Sequence, residues 1–554
     1  MRKHWGMLLL AGLLTAQNGF AQDTAIEGIT AADLLKLLVD EGVIDKAKVA
    51  ALAQKLQARQ RNTANTPVEA VGYQQRDVKP AGESGVVRVP YVPQYIRDEI
   101  RDQVRIGLKE DVSRDVLAQA KQERWGLPGA LPEWVGRIKL SGDVRLREEY
   151  TSFASGNVQG DYLDIAALNE RGSFDGADQG LFLNTTEDRQ RLRARLRLAM
   201  KAKVSDRVEV GARLVTGKQN DPVSTNQTLG SYGDKWDTAF DLAYLRYTNT
   251  LGSVMLTGGR IENPFLSTDL VWDSDLTFEG VAATWRWWRS NNPLTEEFRA
   301  ADPYITIGAF PLQEVERSSD DKWLYAAQFG YAYAWTNQNR LNAALSYYKY
   351  DNIVGRRNVF LDDTENDFTA PQFLQTGNTL FNIRNSNDPN AYLFAHAVDY
   401  ELLNLTAQYD IANFAPVHVL VDLDYVKNIG YDSGEVDSRL GFASERRDDG
   451  YQLRVAVGWP TISKARDWQV SFSYKYLERD AVLAAFTDSD FHLGGTDAEG
   501  YILKFDYGLT DNTWLTLRWL SSNEIDGELV PYAPLLGTGK LGVDVLQMDV
   551  NARF

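Results

Sequence analysis

The residues with the most chemical potential in this 554-residue sequence are arginines on every second position. Arg189, Arg191, Arg193, Arg195 and Arg197 are continued by Lys201 and Lys203, with Leu192, Ala194, Leu196, Leu198, Met200, Ala202 and Val204 between them. A period of two belongs to a β-strand, whose successive side chains point to opposite faces. One face is therefore cationic and the other apolar. Three structures would use such a strand: a soluble sheet with a basic solvent face, a ribbon tracking nucleic-acid phosphates, or the wall of a membrane barrel with lipid outside and water inside. The chain has 76 acidic and 59 basic residues and a formal charge of -17, the wrong sign for a nucleic-acid partner.

Catalytic chemistry finds little to work with. Cysteine is absent and there are 4 histidines, which removes thiolate catalysis, disulfides and Cys-based zinc sites. His396, His418 and His492 are scattered, and no metalloprotease, nucleophile-elbow or phosphate-cradling motif accompanies them. His418 precedes Asp422 and Asp424 by a few positions, one group short of a catalytic set. Asp273, Asp275 and Thr277 have part of a calcium-loop spacing, but the other ligands and the required glycine are missing. No catalytic residue, metal or cofactor is expected.

The elements that must position the arginine row begin after an export signal. Residues 1–21 have a basic start, an apolar run too short to span a bilayer, and small residues flanking Phe20, and read as a signal peptide cleaved after Ala21. Residues 22–60 form a helical segment, and 61–93, with Pro67, Pro80, Pro90 and Pro93, a linker. Residues 94–134 are an amphipathic helix and connector, with Ile96, Ile100, Val104, Leu108, Val112 and Val116 along one side. That stripe needs a partner, either its own chain or a second copy. The whole region is too small to be a plug domain.

From 135 to 554 the period changes to two. Sixteen alternating segments are counted, give or take two, joined by connections that are short and long in turn, the arrangement of an outer-membrane barrel with its turns in the periplasm. The short turns fall at Ser205, Asn337, Asp410 and Thr510, and long polar loops fill 151–188 and 352–397. The 289–303 connection is too long for its place. Aromatics fall near segment ends, at Trp335, Tyr409, Trp459, Trp468 and Trp519, where interfacial girdles would stand. Sixteen strands enclose a lumen too wide for side chains alone to fill, which argues against a soluble barrel. The last segment, VLQMDVNARF, ends on Phe554, like the assembly signal of bacterial outer-membrane proteins.

Several stretches resemble the putative porin family of Gram-negative outer membranes: VPYVPQYIRDEIRDQVR, ERWGLPGALPEWVGRIKLSGDVRLREEY, RQRLRARLRLAMKAKVSDRVEVGARLVTG, GGRIENPF and DLVWDSDLTFEGVA. The similarity covers most of the mature chain and implies a porin without naming a solute. The 289–303 connection has no counterpart in this resemblance.

In a barrel the arginine row must face the lumen, because a charge on the lipid face near mid-depth costs roughly 2 to 4 kcal/mol. The expected pore-lining bases are Arg145, Arg147, Arg191, Arg193, Arg195, Arg197 and Arg213, joined across the closing seam by Arg454, Lys475, Lys504 and Arg518. Asp143, Glu209, Asp506 and Asp549 share the wall and temper its field. The third external loop would fold inward and oppose the row with Glu262, Asp269, Asp273, Asp275 and Glu279.

The expectation is an all-β transmembrane barrel in the bacterial outer membrane, its small helical N-terminal region in the periplasm. It passes small hydrophilic solutes passively, with a mild preference for anionic or zwitterionic ones. The alternatives are a solute-specific channel and a non-conducting barrel with an adhesive or structural role. Expected partners are membrane lipid, lipopolysaccharide and two further copies in a homotrimer, and no nucleic acid.

Overall fold

Alternation of apolar and polar residues over nine to sixteen positions makes long strands with two unlike faces. The computed structural model describes residues 135–554 apart from 161, 175–178, 288–300, 317, 336–337, 361–363, 389 and 527–539. The signal peptide, helical segment, linker and amphipathic helix read over 1–134 lie outside the described residues.

Sixteen strands form the wall: β1 (Ile138–Phe153), β2 (Arg189–Lys203), β3 (Val208–Thr216), β4 (Thr238–Thr248), β5 (Val254–Glu262), β6 (Thr277–Arg286), β7 (Ala301–Gln313) and β8 (Lys322–Ala334), followed by β9 (Arg340–Asp351), β10 (Glu401–Ile411), β11 (His418–Asn428), β12 (Asp449–Gly458), β13 (Trp468–Leu477), β14 (Ala498–Thr510), β15 (Thr513–Glu524) and β16 (Gly542–Arg553). Each pairs antiparallel with the next, and β16 returns to β1, so the sheet has no free edge. β7 starts earlier than its alternation suggests, at Ala301, with Pro303 inside it. The connection from β6 to β7 therefore runs over 287–300, of which 288–300 lies outside the described residues.

The closing seam has a local device. Gly142 and Phe554 exchange backbone hydrogen bonds of 3.0 Å in both directions. A Cβ on Gly142 would stand 2.6 Å from Cζ of the Phe554 ring. Only glycine lets the last side chain lie over the first strand.

The two faces are inverted relative to a soluble protein. Leu192 is 54% exposed and Leu198 41%, whereas Gln547 and Asp549 on the inner face are 1% and 4% exposed. Leu256, Ile307, Leu345, Leu405, Phe472 and Leu503 continue the exposed apolar band around the wall. Trp335, Tyr409, Trp459 and Trp468 gather at the turn end; Tyr325, Tyr347, Tyr425, Tyr451 and Tyr501 stand at the loop end. Trp519, expected in a girdle, sits mid-strand against Leu503 and Leu546.

The lumen is partly filled by loops. Residues 263–276, between β5 and β6, set Leu270, Val271 and Trp272 against the wall aromatics, with Trp272 edge-on to Phe278 and Tyr348 at centroid distances of 5.0 and 5.1 Å. Residues 478–497, between β13 and β14, add Ala481, Val482, Leu483 and Ala485 to the same core. One side of the lumen is thus aromatic and packed, and the opposite side is charged.

Candidate functional site

The charged side is built on β1, β2 and the strands across the seam. Register places Arg145 beside Arg195 and Arg147 beside Arg193, all on the inner face. Such a stack of cations is tolerable only if acids intervene, and they do in two groups. At the loop end of the row, Glu149 alone receives Arg191 at 2.5 Å, Arg193 at 3.4 Å and Arg147 at 3.9 Å. At the turn end, Asp143 holds Arg195 at 2.9 Å and Arg197 at 2.7 Å, and Asp275 approaches the same two at 3.5 and 3.3 Å. Along β2 the row is thus matched toward the turns, while toward the loops Arg191 and Arg193 share one carboxylate and Arg147 on β1 is also held by Asp549 at 2.7 Å.

The loop between β5 and β6 reaches the row through Asp275, which also accepts from the Thr225 backbone and hydroxyl at 3.2 and 2.8 Å. Asp269 faces Lys475 at 3.5 Å and Arg518 at 4.0 Å. Burial would push Asp269 up, but Lys475 and Arg518 prevail and hold it down to about 2. Asp275 is likewise lowered against its burial, by Arg195, Arg197 and Arg145. Asp273 behaves oppositely: burial and the neighbouring Asp488 and Asp275 push it well up. Its carboxylate oxygens accept from the amides of Asp275 and Ser489 at 2.7 and 2.8 Å.

Sequence reasoning missed a second inward loop. Residues 478–497 deliver Asp488 and Asp490 to the charged wall, where Asp490 lies 3.0 Å from both Arg147 and Arg518 and Asp488 lies 3.1 Å from Lys475. The Arg147, Arg518, Arg193 and Arg145 guanidiniums lower Asp490 despite its burial. The two loops are stitched together where the Asp273 amide donates to the Phe486 carbonyl at 2.8 Å and the Thr487 hydroxyl to that of Leu270 at 3.0 Å. Ser489 donates to the Val223 carbonyl at 3.0 Å, drawing in residues 217–237 as a third loop. The only sequence signal was the Asp-Ser-Asp run at 488–490, which has no distinguishing period.

The remaining expected residues divide. Arg145 donates to Asn226 at 2.5 Å and stands 4.0 Å from Asp549 within the network. Arg213 is bound by Asp241 at 2.6 Å, one strand along. Arg454 with Asp422 at 2.6 Å, and Lys504 with Asp506 at 2.9 Å, form separate pairs outside the central network. Glu262 and Glu279 belong to strand ends rather than to the inward loop, because β5 runs through Glu262 and β6 begins at Thr277. Glu279 is exposed and pairs with Arg260 at 2.8 Å across those strands. The loop acids are therefore Asp269, Asp273 and Asp275.

Two cavities flank the row. One of about 430 Å³ lies among the loops and touches Arg189 and Arg191; one of about 410 Å³ opens toward the turns and touches Arg195, Arg197 and Arg213. Arg193 lines neither of them. The Nε–H groups of Arg145, Arg193 and Arg195 are buried and have no acceptor among the described residues.

The histidines stand apart. His418 pairs with Asp410 at 2.6 Å rather than with Asp422 or Asp424, which serve Arg454 and Thr268. His492 bonds Ser522 at 3.1 Å. Burial pushes His492 down to about 4, and burial with nearby Lys322 pushes His396 down to about 3.

A closed sixteen-stranded sheet with lipid-like residues outside and ion pairs inside defines a transmembrane β-barrel. The chain belongs to the putative porin family, which it matches over residues 29–554. No curated protein matches it. Among solved structures it is similar to the outer membrane channel DcaP of Acinetobacter baumannii at 13% identity, covering 75% of this chain and 97% of that one with a TM-score of 0.38. OprB of Pseudomonas putida is similar at 13% identity over 78% and 97%, TM-score 0.42. OpdQ of Pseudomonas aeruginosa is similar at 12% over 76% and 99%, TM-score 0.36. Family and fold support an outer-membrane channel.

Proposed function

We propose that the barrel conducts small hydrophilic solutes by passive diffusion along the β2 arginine row, with a mild preference for anionic or zwitterionic ones. The observation that carries this reading is the pair of cavities in line on that row, one touching Arg189 and Arg191 and the other Arg195 and Arg197. The preference is mild because most of the row is matched by carboxylates, and its sign comes from the loop end of β2, where Arg191 and Arg193 share Glu149 and Arg189 has no acid partner among the described residues.

A solute-selective channel is the second reading, favoured by the three loops stitched across the lumen. In the same proposal the N-terminal region is periplasmic, the chain assembles as a homotrimer, and the outer loops meet lipopolysaccharide. Single-channel recording in a planar bilayer under a salt gradient tests it: discrete conductance with a small anion-side reversal potential is expected. A barrel that inserts and never conducts overturns the reading in favour of an adhesive or structural role.

A further inference from the structure

The loop-side cavity has a composition unlike that of a simple water-filled mouth. At about 430 Å³ it has the size of a small-molecule site. Phe153, Ile165, Leu374, Leu493 and Leu541 contribute an apolar lining. The lining also holds Arg189, which has no acid partner among the described residues, and Arg191, which shares Glu149 with two other guanidiniums. The apolar lining would desolvate a hydrocarbon surface, and the guanidiniums would bind a carboxylate with a planar, multidentate donor.

The backbone adds a second observation. His492, Leu493 and Asp497, all in the loop that lines this cavity, hold left-handed φ values of 53°, 64° and 61°. Non-glycine residues avoid this region, and a branched leucine there is costly. That strained turn presents Leu493, 43% exposed, to the cavity rather than to the core. Strain that holds an apolar side chain out in the open is characteristic of ligand clamps.

Acids in the lining do not cancel these guanidiniums. Asp164 caps a short helix (Ile165–Arg171) by accepting from Ala167 at 3.0 Å. Glu524 accepts from the Tyr162 hydroxyl and from the Leu541 amide. Burial, with Glu524, Asp526 and Asp480 nearby, pushes Asp497 up to about 8 and keeps it largely protonated at neutral pH.

We propose that this cavity is a capture site for amphiphilic monocarboxylates, solutes with a compact apolar body seated against Leu493, Leu374 and Phe153 and a carboxylate directed to Arg189 and Arg191. The proposal rests on the channel reading for its purpose, since a captured solute would be delivered to the arginine row, but its binding step is separately measurable.

The test uses the full chain in detergent and in planar bilayers with three matched probes: 3-phenylpropionate, 3-phenylpropan-1-ol and 3-phenylpropylamine. Calorimetry is expected to show phenylpropionate binding at least tenfold more tightly than the alcohol or the amine. Added on the loop side, it is expected to interrupt the current. Leu493→Ser should weaken binding several-fold with conductance in plain salt retained, Arg189→Gln should also weaken binding several-fold, and Arg454→Gln, which does not line the cavity, should leave binding unchanged. Equal binding of the alcohol, or binding indifferent to both variants, overturns the site. Conduction without any phenylpropionate binding also overturns it and leaves the channel reading standing. Binding without conduction supports the site and removes the channel reading.

Discussion

Arg147 and Asp549 meet across the seam where the barrel closes, joined by two hydrogen bonds of 2.7 and 2.9 Å between strands at opposite ends of the chain. Both side chains are almost fully buried. The pair ties β1 to β16 at the level of the arginine row, so closure of the wall and organisation of the charged face are one structural event.

Removing one partner should therefore weaken the barrel. Asp549→Ala is expected to cost on the order of 2 to 3 kcal/mol, less than for a fully isolated buried pair because Asp490 remains beside Arg147. Denaturant unfolding followed by tryptophan fluorescence measures it. A variant as stable as the parent would show that the seam is held by the backbone ladder alone.

The orientation of β2 is checked by cysteine substitution in a chain that has none. Arg197→Cys should react with a membrane-impermeant thiol reagent in reconstituted protein, and Leu198→Cys should not. The reverse pattern would turn the strand inside out.

Glu149 is the carboxylate that Arg191 and Arg193 share on the loop-side half of the β2 row. Glu149→Gln should raise the anion-to-cation permeability ratio by roughly twofold, as expected for one charge removed from a weakly screened constriction. An unchanged ratio would place the selective region elsewhere.

The inward loops should be robust to moderate acid. Asp269 is held down to about 2, and Asp275 and Asp490 are lowered as well, so their contribution is complete above the ordinary carboxylate range and is lost only as pH falls through the lowered values. Asp273, raised, works in the other direction: its contribution is complete at low pH and fades as pH rises through its raised value. Conductance recorded at stepwise lower pH should show the loops in place through pH about 4, with their release, read as an abrupt change, only below it. An abrupt change between pH 6 and 5 would contradict the assignment of those partners.

Assembly is tested by native mass measurement in mild detergent, where a homotrimer is expected. Deleting residues 94–122, which hold the apolar stripe, should loosen that assembly and spare the barrel. A monomer from the intact chain would remove this part of the proposal.

The wall was legible in the sequence because lipid imposes a rule on every second residue: the alternation of Leu192, Leu196 and Leu198 with arginines identified β2 and its faces. β7 was harder, since Pro303 interrupts the pattern just where the strand begins. Glu279 was assigned to the loop because one residue of strand boundary decides whether it opposes Arg260 or the lumen. The partners of the arginine row were not legible at all. Asp490 meets Arg147 across 343 positions of chain, and no local spacing encodes that meeting. Loop residues answer to no period, so Asp488 and Asp490 looked like any polar connection until the fold brought them inward.

Whether solutes cross along the β2 row is decided by the reversal potential of the Arg193→Glu, Arg195→Glu, Arg197→Glu triple variant in a salt gradient. The substitutions leave Asp143 and Asp275 without their guanidinium partners and reverse the local charge. A conducting variant, folded by its heat-modifiable migration, should shift clearly toward cation selectivity. A conducting variant with the parent's reversal potential would contradict passage along this row.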